Sequence, residues 1–442
     1  MSNYSPRPPH YSGLKWLQTP LPTTIEPWLE GKKWSLRQRS SSHKKAQQQL
    51  QQQLERYPWR WPTHPIHFIT DLHADAEALS ASLVASGRVK RLGSRATDIK
   101  LKKGVRDDEF LIGGDCFDKG PSNLQLLRTL KKLKSQGARL AILAGNHDIR
   151  VLLGMRYATN RENPGHEHLF IRMGTKVIPL LSELERYYLR YPHALRDTPS
   201  NRRCRRELFP SPQWFKQFPA YAKATLTTKT IAKELERIEE KMATFEQQLQ
   251  QADLTLRQVY AAILIWRKLF CSKKGEFHWF YHTMRLAVRR GSMLFLHAGI
   301  DDQTALHIKH HGVKALNLQF KQQLYGDNAF EFYYGHIANT IRTKYRPVDK
   351  PLSLRGTDTL HQSHIHLLVH GHRNLLHGQR LVLRKGILHL ECDTTLDRNS
   401  RQKEGLTGVG AAVTTIDPAG TIFGISNDYP RIKLLQPQQL LT

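Results

Sequence analysis

The residues best suited to chemistry in this chain fall in five short clusters: Asp71-Leu72-His73, Gly114-Asp115-Cys116-Phe117-Asp118-Lys119-Gly120, Gly145-Asn146-His147-Asp148, His297-Ala298-Gly299 and Gly371-His372. Carboxylate, imidazole and amide oxygen are donors that divalent metals accept. Two such ions about 3.5–4 Å apart clamp a phosphate and generate a hydroxide nucleophile, given one carboxylate that bridges them. Glycines beside the donors let the backbone turn sharply and approach an ion closely. Taken singly, each cluster says little. An Asp-x-His triplet is common by chance, and a His in an apolar strand, such as His297, is more often a core residue than a ligand. Together, in order and each at the end of an apolar run, they read as one site.

The elements that must position them follow from the surrounding pattern. Apolar runs at 66–70, 110–113 and 139–144 stop at polar or glycine residues, as buried strands do at their carboxyl ends. Helical patterns at 74–86 and 122–135 lie between them, so the layer is α/β. Ligands in such folds collect at the carboxyl ends of strands. Further strand patterns lie at 292–297, 366–370, 388–392, 410–415 and 421–425, the last two flanking the turn Asp417-Pro418-Ala419-Gly420. Residues 1–64 read as a basic, Gln-, Pro- and Ser-rich N-terminal extension, with a glutamine-rich run at 47–53 that is either a short helix or disordered. Residues 65–154 and 291–442 read as two parts of one core, and 155–290 as a mostly helical insertion. Within the insertion Ile231, Leu235, Ile238, Met242, Phe245, Leu249, Ala252, Leu256, Val259, Ile263, Trp266 and Phe270 form a heptad seam. The seam predicts one long helix or a hairpin breaking near Asp253. It either packs on its own domain or joins a homodimer through 231–270.

The five clusters resemble the signature of the calcineurin-like metallophosphoesterases (D-x-H, G-D-x-x-D-R-G, G-N-H-[DE], a later H, and G-H) over roughly 66–150 and 290–425. Leu296-His297-Ala298-Gly299-Ile300, the strand end Glu391-Cys392-Asp393-Thr394, and Asn374 in place of a second His after Gly371-His372 are most similar to the phosphoprotein-phosphatase branch. That branch includes bacterial Ser/Thr protein phosphatases and diadenosine tetraphosphatases. The resemblance implies a two-sheet α/β/β/α sandwich and two divalent ions, manganese, iron or zinc. It implies Asp71 and His73 on the first metal, Asp115 bridging both, and Asn146, His297 and His372 on the second. His147 would be the general acid, with Asp118 orienting it and raising its pKa. The implied nucleophile is a metal-bound hydroxide attacking directly. Lys119 stands where the family has Arg, and supplies charge without a bidentate fork; with Arg150 it is the expected phosphate contact. His370 is an alternative ligand and Asp148 a supporting residue. Oxidation of Cys116, inside the second cluster, is expected to inhibit.

The chain carries 67 Lys and Arg against 38 Asp and Glu, a formal charge of +29. That balance favours polyanionic partners, either phosphorylated substrates or nucleic acid on a basic surface, although no nucleic-acid-binding motif accompanies it. No apolar run approaches the roughly 20 residues of a membrane helix, and the first residues do not read as a secretory signal. Four scattered cysteines form neither zinc spacing nor a disulfide framework, so a cytoplasmic protein is expected. The expected activity is hydrolysis of phosphate monoesters in phosphoprotein or a small metabolite. The alternative is hydrolysis of a dinucleoside polyphosphate or a nucleic-acid phosphodiester. A non-enzymatic scaffold is disfavoured because every donor is present. The insertion is expected to cap the site mouth.

Overall fold

The computed structural model describes residues 7–28 and 40–441. The basic residues Lys32, Lys33, Arg37 and Arg39, and the side chains of Lys44 and Lys45, lie outside what is described. The strands form a seven-stranded sheet in the order Ile25–Pro27, Ile432–Leu435, Thr421–Ser426, Ala412–Asp417, Ile66–Ile69, Glu109–Ile112 and Arg139–Ile142. A five-stranded sheet runs Arg380–Arg384, Ile387–Glu391, Leu367–His370, Met293–Leu296 and Ala287–Arg290. Val89–Arg91 and Ile99–Leu101 make a small hairpin, so there are three sheets where two were expected.

The pleat explains how both large sheets acquire an inner face. Alternate residues of a strand point to opposite sides. Phe68 and Leu111 join a core cluster with Phe295, Val369 and Leu390 of the other sheet. Their strand neighbours Ile69, Phe110 and Ile112 join a second cluster with the helices. Phe68 and Phe295 meet across the sheets with ring centroids 5.7 Å apart. Three strands of the first sheet (66–69, 109–112 and 139–142) run parallel and adjacent. Strands 293–296, 367–370 and 387–391 are likewise parallel neighbours. The carboxyl end of each of these six is therefore free to feed a loop on one edge of the molecule.

Two boundaries differ from the sequence reading. Ile25–Pro27 pairs in parallel with Ile432–Leu435, so part of the extension is an edge strand of the core sheet. The glutamine-rich run lies in the helix Ser40–Arg56, whose Leu50 and Leu54 are buried in the inter-sheet cluster. Ala287–Arg290 falls inside the segment expected to be helical, yet pairs with Met293–Leu296 through a tight turn at Gly291.

The heptad seam folds as a hairpin of Thr228–Gln251 and Leu256–Phe270, broken where Asp253 takes a φ of 52°. Thr227 and Thr255 cap the two helices, each accepting from the backbone N–H three residues on. Ile231, Ile238, Phe245, Leu249, Val259, Ile263, Trp266 and Phe270 are buried in the chain's own core. The seam is thus spent internally and offers no apolar stripe to a second copy, which removes the basis for a homodimer through 231–270. Among the described residues no helix is long and apolar enough to cross a membrane.

Candidate metal centre

Asp71 and His73 follow strand Ile66–Ile69, Asp115 and Asp118 follow Glu109–Ile112, and Asn146 and His147 open the helix after Arg139–Ile142. His297 and His372 follow Met293–Leu296 and Leu367–His370. Seven residues of these loops, Asp71, His73, Ala74, Asp115, Asp118, Lys119 and His372, have φ between 42° and 68°. Non-glycine residues occupy that region only where the surroundings enforce it, at about 1–3 kcal/mol each. Asp148 supplies much of the enforcement. Its carboxylate accepts from the backbone N–H of Asp115 (2.9 Å), Cys116 (2.8 Å), Phe117 (3.3 Å) and Gly145 (3.0 Å), tying the second cluster to the third. Burial and the neighbouring Asp115 push its pKa up to about 8, against those four donors. Gly145 itself must be glycine, because a Cβ there would lie 2.1 Å from Asp115 N.

Asp115 is the centre of the constellation. Its Oδ2 lies 3.5 Å from His297 Nε2, 3.8 Å from His73 Nε2 and 3.9 Å from His147 Nε2. Two donor groups share it: His73, Asp115 and His147, and Asp115, His297 and His372, each with its ligand atoms within 4.8 Å of one another. Asp71 Oδ1 is 4.0 Å from His73 Nε2, while its Oδ2 accepts from Thr70 Oγ1 and from His372 N at 3.0 Å, joining the first cluster to the fifth. Asn146 Oδ1 lies 3.2 Å from His297 Nε2.

The imidazoles are oriented by backbone carbonyls. His73 Nδ1 donates to Phe117 O (3.2 Å), His297 Nδ1 to Gly113 O (2.7 Å) and His372 Nε2 to Arg342 O (3.0 Å). Each bond fixes the tautomer and leaves the other ring nitrogen with a lone pair for a cation. Burial alone would lower the His297 pKa, but Asp115 and Asp71 overcome it and raise it to about 10, so its Nε2 holds a proton that a cation would have to displace. Burial raises Asp71. Buried carboxylates crowded against imidazoles, with nitrogens aimed among them, are a donor set that divalent cations satisfy.

His147 Nδ1 donates to Asp118 Oδ2 at 2.8 Å, and the guanidinium of Arg150 donates to the same oxygen. Asp118 Oδ1 is buried without a partner. Asp118 raises the His147 pKa, as expected, but burial outweighs it and the net shift is downward. Lys119 donates to His73 Nε2 at 2.7 Å, and Arg150 is held against Asp118, so both expected phosphate contacts are engaged with the site's own residues. His370 bonds Gly371 O and His389 Nδ1 beneath the site, and burial lowers its pKa to about 4. Cys116 is buried, and its thiol is pushed well up by burial and by Asp148 and Asp115. A thiol so held is a poor nucleophile, which argues against ready oxidation.

Three contributors were given no role by the motif reading. Asp393 is buried beside Asp71 with its pKa pushed well up by burial. Asn123 Oδ1 accepts from Asp118 N (3.1 Å). Glu183 of the insertion accepts from the N–H of Asn123 (2.9 Å) and Leu124 (3.3 Å), capping the helix Asn123–Ser135. Asp393 carried a signal, the strand-end Asp-Thr pair. Asn123 and Glu183 carried none, because they act across 5 and 60 residues of separation.

Buried carboxylates and oriented imidazoles meet at the strand ends in two donor groups that could each hold a metal ion. Residues 64–235 match the calcineurin-like phosphoesterase family. That stretch therefore carries a calcineurin-like metallophosphoesterase domain, and with the donor groups around Asp115 it supports hydrolase activity. No curated protein matches it. Among solved structures it is similar to a cold-active protein tyrosine phosphatase of a psychrophilic Shewanella species, at 13% identity over 84% of this chain and 80% of that one, with a TM-score of 0.42. It is also similar to a protein serine/threonine phosphatase from Saccharomyces cerevisiae, at 10% identity over 88% and 86%, with a TM-score of 0.35.

Proposed function

We propose that the enzyme hydrolyses phosphate monoesters, and that it sits in the phosphoprotein-phosphatase branch that its motifs resemble. The observation that carries this is Asp115, faced by three imidazole nitrogens at 3.5–3.9 Å in a buried cluster. In this reading Asp71, His73 and Asp115 hold one divalent cation, and Asp115, Asn146, His297 and His372 the other, with manganese, iron and zinc all suited to the donors. Such ions polarise a phosphate and activate water. His147 then gives its Nε2 proton to the leaving alkoxide, and Asp118 holds the ring through Nδ1. Arg150 fixes Asp118, and Lys119 offers positive charge that suits a monoester dianion.

The proposed domain plan keeps 65–154 and 291–442 as one core, with the two large sheets facing each other between helical layers. The shared cluster of Phe68, Leu111, Phe295, Val369 and Leu390 supports it. The test is hydrolysis by purified protein with added Mn²⁺ of an aryl phosphate monoester, an aryl phosphodiester, a phosphopeptide, a dinucleoside tetraphosphate and single-stranded nucleic acid. Monoester or phosphopeptide turnover is expected. Turnover of the diester, dinucleotide or nucleic acid alone would overturn the monoesterase reading.

A further inference from the structure

The segment around Trp16 straps the flank of the core, and between strap and core lies a cleft that the strand-end clusters do not use. The strap is pinned at several points. Tyr11 Oη donates to Pro22 O at 2.9 Å, Trp16 Nε1 donates to Gly13 O at 3.0 Å, and Leu17 is buried. Gly13 lies so close to the strand Val89–Arg91 that a Cβ there would stand 2.2 Å from Arg91 O. The guanidinium carbon of Arg91 is 4.1 Å from the centroid of the Trp16 ring. Two cavities, of about 580 and 600 Å³, share Trp16, Arg398 and Val409 as walls. They are parts of one elongated cleft, each part the size of a ligand site.

The cleft is joined to the metal centre by hydrogen bonds. Its wall residue Asn399 donates to Lys119 O, and Lys119 Nζ lies 2.7 Å from His73 Nε2. Arg398 holds the carboxylate of Asp75, which closely follows His73, at 2.9 and 3.0 Å. A phosphate held by the strand-end donors therefore has this cleft as neighbouring space for the rest of its substrate. The walls indicate what that remainder is. Arg91 is paired with Glu77 and Arg398 with Asp75, which leaves Lys15 as the lining charge without an opposite partner among the described residues. A cleft so nearly neutral offers little to a run of phosphates, which needs surplus cations. Trp16, Leu92, Leu406 and Val409 present apolar surface, and Leu92 is 63% exposed. The amides of Gln18 and Gln402 can each donate and accept, as a peptide backbone does. An indole flanked by amides and apolar side chains suits an extended peptide, for which Trp is a frequent anchor.

We infer that this cleft binds the polypeptide flanking a phosphorylated residue, so that the substrate is a phosphoprotein and not a small metabolite. This rests on the phosphoesterase reading above and names the substrate class for that site. The test uses the full chain with Trp16→Ala and Leu92→Glu made separately. The probes are peptides of about ten residues with a central phosphoserine or phosphotyrosine and leucines on both sides, the two free phosphoamino acids, and an aryl phosphate as control. In the parent, kcat/KM for at least one peptide exceeds that for its free phosphoamino acid by about ten-fold or more, carried by KM. Each variant shrinks that preference several-fold and leaves aryl phosphate turnover unchanged. Leu92 is exposed, so its variant folds whatever Trp16→Ala does. No preference in the parent, or a preference that survives in the folded variants, overturns the inference. So does a single-stranded oligonucleotide that competes with the peptide in the parent and loses that competition in Trp16→Ala or Leu92→Glu. If no probe releases phosphate, the phosphoesterase reading fails. Calorimetric titration of the same peptides then decides the cleft by itself, since the variants must still weaken peptide binding.

Discussion

The strand-end loops and the helical insertion are built on opposite terms. The loops pack charge: Asp71, His73, Asp115, Asp118, His147 and His297 are all buried, on a backbone that repeatedly takes positive φ. The insertion packs mostly hydrocarbon: Phe170, Trp214, Phe218, Phe245, Trp266 and Phe270 are buried, with a few buried polar groups such as His168, Glu183 and Glu234 among them. The contrast shows where strain is tolerable. Six parallel strand ends and the four N–H bonds to Asp148 over-determine the loops. The insertion needs only to bury its apolar face, and it reaches the catalytic side through Glu183, which caps the helix after the second cluster.

If that division is right, changes in the loops remove activity and spare stability, while changes in the insertion do the reverse. Asp115→Asn should lower turnover by at least about 10³-fold, with a melting curve close to the parent's. His147→Asn should cost about 10²–10⁴-fold on an alkyl phosphate and much less on a nitrophenyl phosphate, whose leaving group needs no proton; equal losses on both would refute the general-acid role. Phe245→Ala should destabilise by about 3–5 kcal/mol in denaturant titrations and leave kcat near the parent value below its melting point.

The fourth prediction concerns pH. His168, stacked on Trp214 at 5.1 Å, has its pKa lowered by burial and by Arg172 to about 3. A histidine depressed in the folded state contributes stability above its unfolded pKa of about 6.5 and loses it as pH falls, so moving to pH 5 should cost about 2 kcal/mol. His168→Phe should flatten that dependence in thermal unfolding followed by tryptophan fluorescence. The smallest effect is at Cys116: peroxide should inhibit parent and Cys116→Ser alike, and protection by the serine would contradict the buried, protonated thiol.

The pattern of apolar runs predicted eight strands, and each appears within two or three residues of its expected bounds, because buried strands announce themselves by continuous Val, Ile, Leu and Phe. The donors were legible for the same reason, since each sits where such a run stops. What stayed hidden depends on contacts distant in sequence. Ile25–Pro27 has too few residues to show a period, and becomes a strand only because Ile432–Leu435 lies beside it. The attachment of Lys119 to His73, and the downward net shift of His147, arise from packing that no motif encodes.

The most direct test of the two-cation centre is metal content by mass spectrometry alongside aryl phosphate turnover. Parent and Asp115→Asn proteins would be stripped by chelator and reloaded with Mn²⁺. The account predicts two ions per chain and restored turnover in the parent, with both lost or sharply reduced in Asp115→Asn. Full turnover in the stripped protein, or equal metal content in the two, would contradict it.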